Sequence, residues 1–304
     1  MINMNHKKFM DIERIKENNS ACFQKGDLIY IEEKVDGANA AIRYDGETDS
    51  IVAQSRKQIL TPTNTLRGFY EFTQRLDVNK VRDVLGNNLC LFGEYLVAHS
   101  VPYPDDKYGN FYAYDLYDLG RGEYLPQEKA IEIVTKLDLP YVPIFYTGEF
   151  QSWEHCMSFV GKTELGGEYG EGIVVKNQTR LNDPNGRQPF YLKIVGEQFV
   201  ETKAHKHNKI KQTNADVLAK LEADKALAET IVTEARVNKI LLKLVDEGIL
   251  PENWGAKEMG IVAKNLPREV YADCIKEEPE TVKQIDNFGK IVNSIAMGIA
   301  RTKI

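Results

Sequence analysis

No apolar run in the 304-residue sequence is long enough to cross a bilayer, and charges interrupt the opening segment MINMNHKKFMDIERIKEN where a secretory leader needs an unbroken apolar stretch. A cytoplasmic protein is therefore expected. Cysteine is scarce: Cys22, Cys90, Cys156 and Cys274 are widely scattered with no C-x-x-C pair, which argues against a disulfide framework and against a zinc cluster. A glycine-rich Walker A loop is missing, which excludes a P-loop enzyme. Excess positive charge is missing too. With 39 Lys and Arg against 45 Asp and Glu, the net charge of -6 argues against attraction of nucleic acid by the whole surface but leaves room for a local basic groove.

Aromatic residues run out along the chain: of 29 Phe, Tyr and Trp, only Trp254, Tyr271 and Phe288 lie beyond residue 200. Charge shifts as well, from 22 Lys and Arg against 29 Asp and Glu in residues 1–200 to 17 against 16 in residues 201–304. These shifts predict two domains, residues 1–207 and 208–304, joined through the polar, basic segment KAHKHNKIKQTN (203–214). His205 and His207 within it read as solvated or near phosphates, not as metal ligands.

In the first domain the runs DLIYIEEK, NAAIRY, SIVAQSR, NLCLFGEYL, NFYAYDLYDL, EGIVVK and PFYLKIV read as strands. Helical spacing appears at LRGFYEFTQRL, PQEKAIEIVTKL and SWEHCMSFVGK. Several strands follow one another without a helix between them, so the expected class is α+β with mixed or antiparallel sheets, not a doubly wound parallel sheet. The second domain is expected to be all-helical. Residues 215–248 read as one helical run ended by Pro251, and the pattern resumes at EVYADCIKEEP and VKQIDNFGKIVNSIAMGIA.

Five short segments could carry chemistry. In Glu33-Lys34-Val35-Asp36-Gly37-Ala38-Asn39 a lysine closes an apolar strand and an Asp-Gly turn follows; such a lysine, partly desolvated or near other cations, can serve as a nucleophile. Phe92-Gly93-Glu94-Tyr95 ends a buried strand in a carboxylate, and Phe111-Tyr112-Ala113-Tyr114-Asp115 sets an aromatic face beside another. Glu171-Gly172-Ile173-Val174-Val175-Lys176 brackets an apolar strand with an acid and a base, and Tyr191-Leu192-Lys193-Ile194-Val195 adds a second strand lysine. An aromatic ring for a base, carboxylates for ribose hydroxyls and a divalent cation, and lysines for phosphates are the parts needed to hold a nucleoside triphosphate.

In this order the segments resemble motifs I, III, IIIa, IV and V of the covalent nucleotidyltransferase superfamily of polynucleotide ligases and messenger-RNA capping enzymes, over roughly residues 30–200. Ser55-Arg56 resembles the short motif that engages the 5'-phosphate end. The nearest likeness is the RNA ligase 2-like, nick-sealing branch, because the helical second domain lacks the strand signature of the OB-fold barrel that follows motif V in DNA ligases and capping enzymes. Asn39 matches that branch, although Asp36 stands where it often has histidine. The resemblance also departs at motif V, where the usual K-x-K pair is reduced to Lys193 between Tyr191 and Val195.

The resemblance implies an ATP-dependent RNA ligase working through lysyl-AMP. Lys34 would attack the α-phosphate, with Glu171 holding Mg2+ or Mn2+ and Lys193 or Lys176 offsetting phosphate charge. Glu33 would read the adenine edge, Tyr114 and Val174 would flank the base, and Glu94 would bind the ribose. Arg56 would grip the 5'-phosphate, Asn39 would line the nucleotide site, and Asp36 and Asp115 would support the pocket. The implied partner is RNA, as a nicked duplex or an RNA/DNA hybrid, engaged in part by residues 208–304, with no membrane or protein partner. A minimal DNA ligase, a GTP-using capping enzyme and a catalytically silent RNA-binding protein of the same fold are the alternatives.

Overall fold

A computed structural model describes residues 6–15, 17–20, 22–181, 190–196 and 214–304. The chain divides into two compact units, Met1–Glu197 and Gln198–Ile304. The boundary expected near residue 208, and residues 203–213 of the basic segment with His205 and His207, lie outside the described residues.

The strands of the first unit are β1 (Glu13–Arg14), β2 (Leu28–Glu33), β3 (Ala38–Asp45), β4 (Ser50–Ser55), β5 (Leu89–Tyr95), β6 (Phe111–Asp118), β7 (Glu123–Tyr124), β8 (Ile144–Glu149), β9 (Gly172–Asn177) and β10 (Tyr191–Val195). Its helices are α1 (Glu17–Ser20), α2 (Phe69–Thr73), α3 (Val78–Leu85), α4 (Gln127–Lys136) and α5 (Trp153–Met157). The strands form two five-stranded sheets, β1-β10-β9-β2-β8 and β4-β3-β5-β6-β7. All their pairings are antiparallel except that of β1 with β10. The α+β class expected from the sequence is the one adopted.

Strand alternation gives each sheet its own core on one face. In the first sheet Ile29, Ile31, Ile173, Val175 and Leu192 pack with Phe23, Phe150 and Cys156. In the second, Ala40, Ile42, Leu91 and Phe111 pack with Phe69, Val81, Leu85, Ala130 and Ile133 from α2 to α4. The opposite faces meet: Tyr191 of the first sheet joins Ala41 and Phe92 of the second, with Phe9 and Met10, in a further buried cluster. The motif side chains gather between these inner faces.

The second unit is helical throughout its described residues, as α6 (Asn214–Ile231), α7 (Glu234–Asp246), α8 (Met259–Glu277), α9 (Pro279–Val282) and α10 (Phe288–Arg301). The single run read over 215–248 is two helices. Thr233 breaks it, adopting an extended backbone and accepting the Arg236 N–H on its hydroxyl at 3.2 Å, an N-cap for α7. The Arg236 guanidinium is buried, 2.9 Å from Asp273 of α8. That helix begins at Met259, earlier than the sequence pattern indicated, and runs through Pro267. Burial of Val262, Leu266, Val270 and Cys274 on one face offsets the roughly 3 kcal/mol that an interior proline costs. Among the described residues no helix is long and apolar enough to cross a membrane.

Candidate active site

Lys34 follows directly on β2, and the backbone there is clamped from both sides. Glu33 N–H donates to the Pro143 carbonyl at 2.8 Å, and Lys34 N–H donates to the Gly172 carbonyl at 3.0 Å. The Lys34 ammonium, 20% exposed, is ion-paired with the buried Glu171 carboxylate. Partial burial agrees with the sequence argument, but the neighbour is a carboxylate where that argument also allowed cations. An ion-paired ammonium is not a nucleophile, so in that role this lysine would have to give up both a proton and its partner.

The glycines of both motifs are required by close approach. A Cβ on Gly37 would lie 2.6 Å from the Tyr95 carbonyl oxygen, and one on Gly172 would lie 2.1 Å from that of Ile194. Asp36 fastens the turn between β2 and β3. Its Oδ2 accepts N–H groups from Ser100 at 2.7 Å and Val101 at 2.9 Å, and its own N–H donates to the Tyr103 hydroxyl at 3.0 Å. His99 Nδ1 stands 3.7 Å from Asp36 Oδ1.

Glu94 and Asn39 are cross-strand neighbours on β5 and β3, and Asn39 donates to the Tyr114 hydroxyl from β6. Glu94 Oε1 accepts the Gly37 N–H at 3.3 Å. Burial pushes the Glu94 carboxyl up to about 7; Lys34 and His99 oppose the rise, while Asp36 and Glu171 add to it. On the facing sheet Glu32, Val174 and Lys193 form one cross-strand row over β2, β9 and β10. Lys34, Glu171, Glu94, Asn39, Tyr114, Val174 and Lys193 are thus brought together around the inner faces of the two sheets.

Lys176 is placed differently. Its ammonium, on a side chain 2% exposed, reaches Glu32 at 2.6 Å, Asp115 at 3.0 Å and the Tyr114 carbonyl at 2.7 Å. Gln127 Nε2 donates to Asp115 at 3.0 Å, Tyr141 donates its hydroxyl proton to Glu32 at 2.7 Å, and Tyr191 donates to Asp115 at 3.0 Å. Burial pushes both the Glu32 and Asp115 carboxyls up, against the pull of Lys176. This knot ties the two sheets together, and it leaves Lys176 no donor directed at a phosphate. Asp115, expected to support the pocket, sits at its centre. Glu32, Gln127 and Tyr141 were not foreseen, because their contacts join residues far apart in sequence and nothing local marks them.

Glu33 and Arg56 are also engaged within the chain. Glu33 accepts from the Thr163 hydroxyl at 2.6 Å and from Glu164 N–H at 2.8 Å, while burial pushes its carboxyl up. Adenine reading by Glu33 would have to compete with these donors. Arg56, just past β4, is ion-paired with Asp11, and with both partners about a third exposed the pair is easily opened.

Asp36, Glu171 and Lys34 all act electrostatically on Glu94, so three carboxylates stand near one lysine, and that excess of negative charge suits a cation. No group of three Asp, Glu, His or Cys side chains among the described residues is spaced to enclose a metal ion. Such a donor set fits a Mg2+-like ion, which needs only one or two protein carboxylates beside substrate phosphates.

A family model described as RNA ligase matches residues 27–195. No match was found among curated proteins. Solved structures of a Naegleria gruberi RNA ligase are similar to the chain. The one with PPi has a TM-score of 0.46 at 21% identity, over 64% of this chain and 57% of that one. A variant with AMP and Mn has 0.48 at 22%, over 64% and 57%. A variant with ATP and Mn has 0.48 at 20%, over 63% and 56%. The chain thus spans less than two thirds of the length of these Naegleria chains. The family match takes in β2 to β10, every motif segment and more than half of the sequence, and by it the chain belongs to the RNA ligase family.

Proposed function

We propose that the protein is an ATP-dependent RNA ligase that joins 3'-hydroxyl and 5'-phosphate ends at nicks in duplex RNA or in an RNA/DNA hybrid. The observation that carries this reading is Lys34, fixed at the end of β2 beside Glu171 and near Glu94. It is the arrangement expected for a lysine that forms a phosphoramidate with AMP.

In the first step Lys34 Nζ, freed of a proton, bonds to the α-phosphorus of ATP, the bond to the β-phosphate oxygen breaks, and pyrophosphate leaves with the electron pair. Lys193, in the row facing the site, offsets charge on the reacting phosphate. Tyr114 and Val174, which come from opposite sheets, would flank the adenine, Glu94 would bind the ribose and Asn39 would line the nucleotide site. Glu171 would hold Mg2+ or Mn2+, which would supply charge neutralisation at the phosphates when bound. The 5'-phosphate of the polynucleotide then attacks the AMP phosphorus and releases Lys34. Arg56, once parted from Asp11, is the cation proposed to hold that end. Finally the 3'-hydroxyl attacks the activated phosphate and AMP departs. The helical unit is proposed to engage the duplex.

Labelling with ATP and Mg2+ should place AMP on the wild type and none on Lys34→Ala, and full labelling of that variant would remove the mechanism. Sealing of a nick whose 3'-hydroxyl strand is RNA, and not of the matched DNA-ended nick, is expected. Equal or better sealing of the DNA-ended nick would make this a minimal DNA ligase. A silent RNA-binding protein, the alternative left open by the motif V departure, where Lys193 stands between Tyr191 and Val195, would bind RNA without releasing pyrophosphate from ATP.

A further inference from the structure

The stacking role proposed for Tyr114 needs a ring of fixed plane, and Tyr114 does not receive one from its own strand. The pairing of β5 with β6 slips at this position: Phe92 pairs with Asp115 and Gly93 with Ala113, so Tyr114 is the extra residue of a β-bulge. A bulge re-aims its side chain, and strand alternation no longer sets the direction. Hydrogen bonds hold the two ends of the residue. Its carbonyl accepts from Lys176 at 2.7 Å and from Gln127 and Tyr141 at 2.8 Å each, and its hydroxyl accepts from the Asn39 amide. Neither end fixes the ring plane, because the hydroxyl oxygen lies on the χ2 axis about which a tyrosine ring turns.

Packing sets that plane, and the ring packed against Tyr114 comes from outside every motif. Phe9, 5% exposed, has its ring centre 4.9 Å from that of Tyr114 at an interplanar angle of 56°. It also meets Phe92 at 5.0 Å and Tyr124 at 5.8 Å. Tilted aromatic pairs at such spacings attract one another beyond the area they bury. Phe9 belongs to the arm of residues 6–12 that precedes β1, and the arm is pinned on both sides of it. Before Phe9, His6 Nε2 donates to the Ser55 carbonyl at 2.8 Å and Lys7 N–H donates to the Gln54 side-chain oxygen at 2.9 Å. After it, Met10 N–H donates to the Tyr124 hydroxyl at 3.0 Å. The Phe9 ring is thus anchored independently of the residue it packs against.

We propose that Phe9 is a positioning residue for the nucleotide: it fixes the plane of the Tyr114 ring so that adenine stacks on it, and so sets the affinity for ATP. This assignment rests on the ligase reading. Phe9 acts through Tyr114 and on binding alone, since Lys34 and the cations proposed for the phosphates are held by other strands.

The test follows AMP-lysine formation by the full-length protein over a range of ATP concentrations. Phe9→Leu keeps the apolar volume and removes the ring. It should raise the ATP concentration at half-maximal rate about five-fold and leave the rate at saturating ATP within about two-fold of wild type. Tyr114→Ala should raise the half-maximal concentration about ten-fold or more, the scale of one base stacked on one aromatic ring. In the Tyr114→Ala background Phe9→Leu should add nothing, because the ring it orients is gone. Phe9→Met, which also conserves volume, carries the same expectations should leucine prevent folding. A half-maximal concentration that is unchanged or lowered by Phe9→Leu, or raised by the same factor in both backgrounds, overturns the proposal. Absence of AMP-lysine in the wild type would instead overturn the ligase reading, a distinct result.

Discussion

Glu94→Gln should make the first unit more stable at pH 8 while weakening its chemistry. Burial raises the Glu94 carboxyl from its ordinary 4.5 to about 7. A group whose folded-state pKa lies above its unfolded value stabilises the fold fully below the unfolded value, and that contribution is lost as pH rises through the folded value. Ionised Glu94 is therefore a burden at pH 8 that is absent at pH 4.5. At about 1.4 kcal/mol per unit, a rise of about 2.5 units sets a ceiling of about 3.4 kcal/mol, and the residual exposure of the side chain brings the expectation to about 2 kcal/mol. Glutamine keeps an oxygen to accept the Gly37 N–H, so little else is lost. The assay is urea unfolding without nucleotide or divalent ions, followed through Trp153 in a Trp254→Phe background so that only the first unit reports. The difference between variant and wild type should grow from near zero at pH 4.5 to about 2 kcal/mol in favour of glutamine at pH 8. AMP labelling should fall at both values. A difference that does not change with pH, or a wild type more stable than the variant at pH 8, would refute the reasoning.

Lys176→Met should destabilise the first unit by about 3–5 kcal/mol, because it leaves Glu32 and Asp115 buried without their ammonium. A loss below about 1 kcal/mol in the same unfolding assay would mean that the knot is not structural. Gly172→Ala should cost several-fold more stability than an ordinary surface change and abolish AMP labelling, since the new methyl group would force β9 from β10 at the Ile194 carbonyl. Gly298→Ala in α10, where nothing lies within 4 Å of the added carbon, should instead stabilise the helical unit by up to about 1 kcal/mol; the opposite ranking of the two melting temperatures would count against the packing described.

The sequence foretold most strongly where local pattern and chemistry coincide. Lys34 ends an apolar strand and an Asp-Gly turn follows it, so strand, turn and candidate nucleophile could be read together. Both motif glycines then proved to lie against carbonyl oxygens of neighbouring strands. Strand β8 escaped notice because it lies at a sheet edge with most of its residues partly exposed, and such a strand carries no alternation to detect. The helical run over 215–248 misled because Thr233 interrupts it with a cap and without glycine or proline.

Lys176 and Lys193 show where reading along the chain must stop. Each follows apolar residues on a strand, and both belong to the inner face of the same sheet. Lys193 pairs with Val174, near the Gly172 end where Lys34 lies, whereas Lys176 stands one pleat further along, opposite Tyr191 and Tyr30. There Asp115, Gln127 and the Tyr114 carbonyl of the other sheet close over it. That one-pleat difference turns a candidate phosphate ligand into a tie between sheets. Which strand lysine faces the candidate site is therefore decided by pairing between distant strands, which spacing along the chain does not reveal.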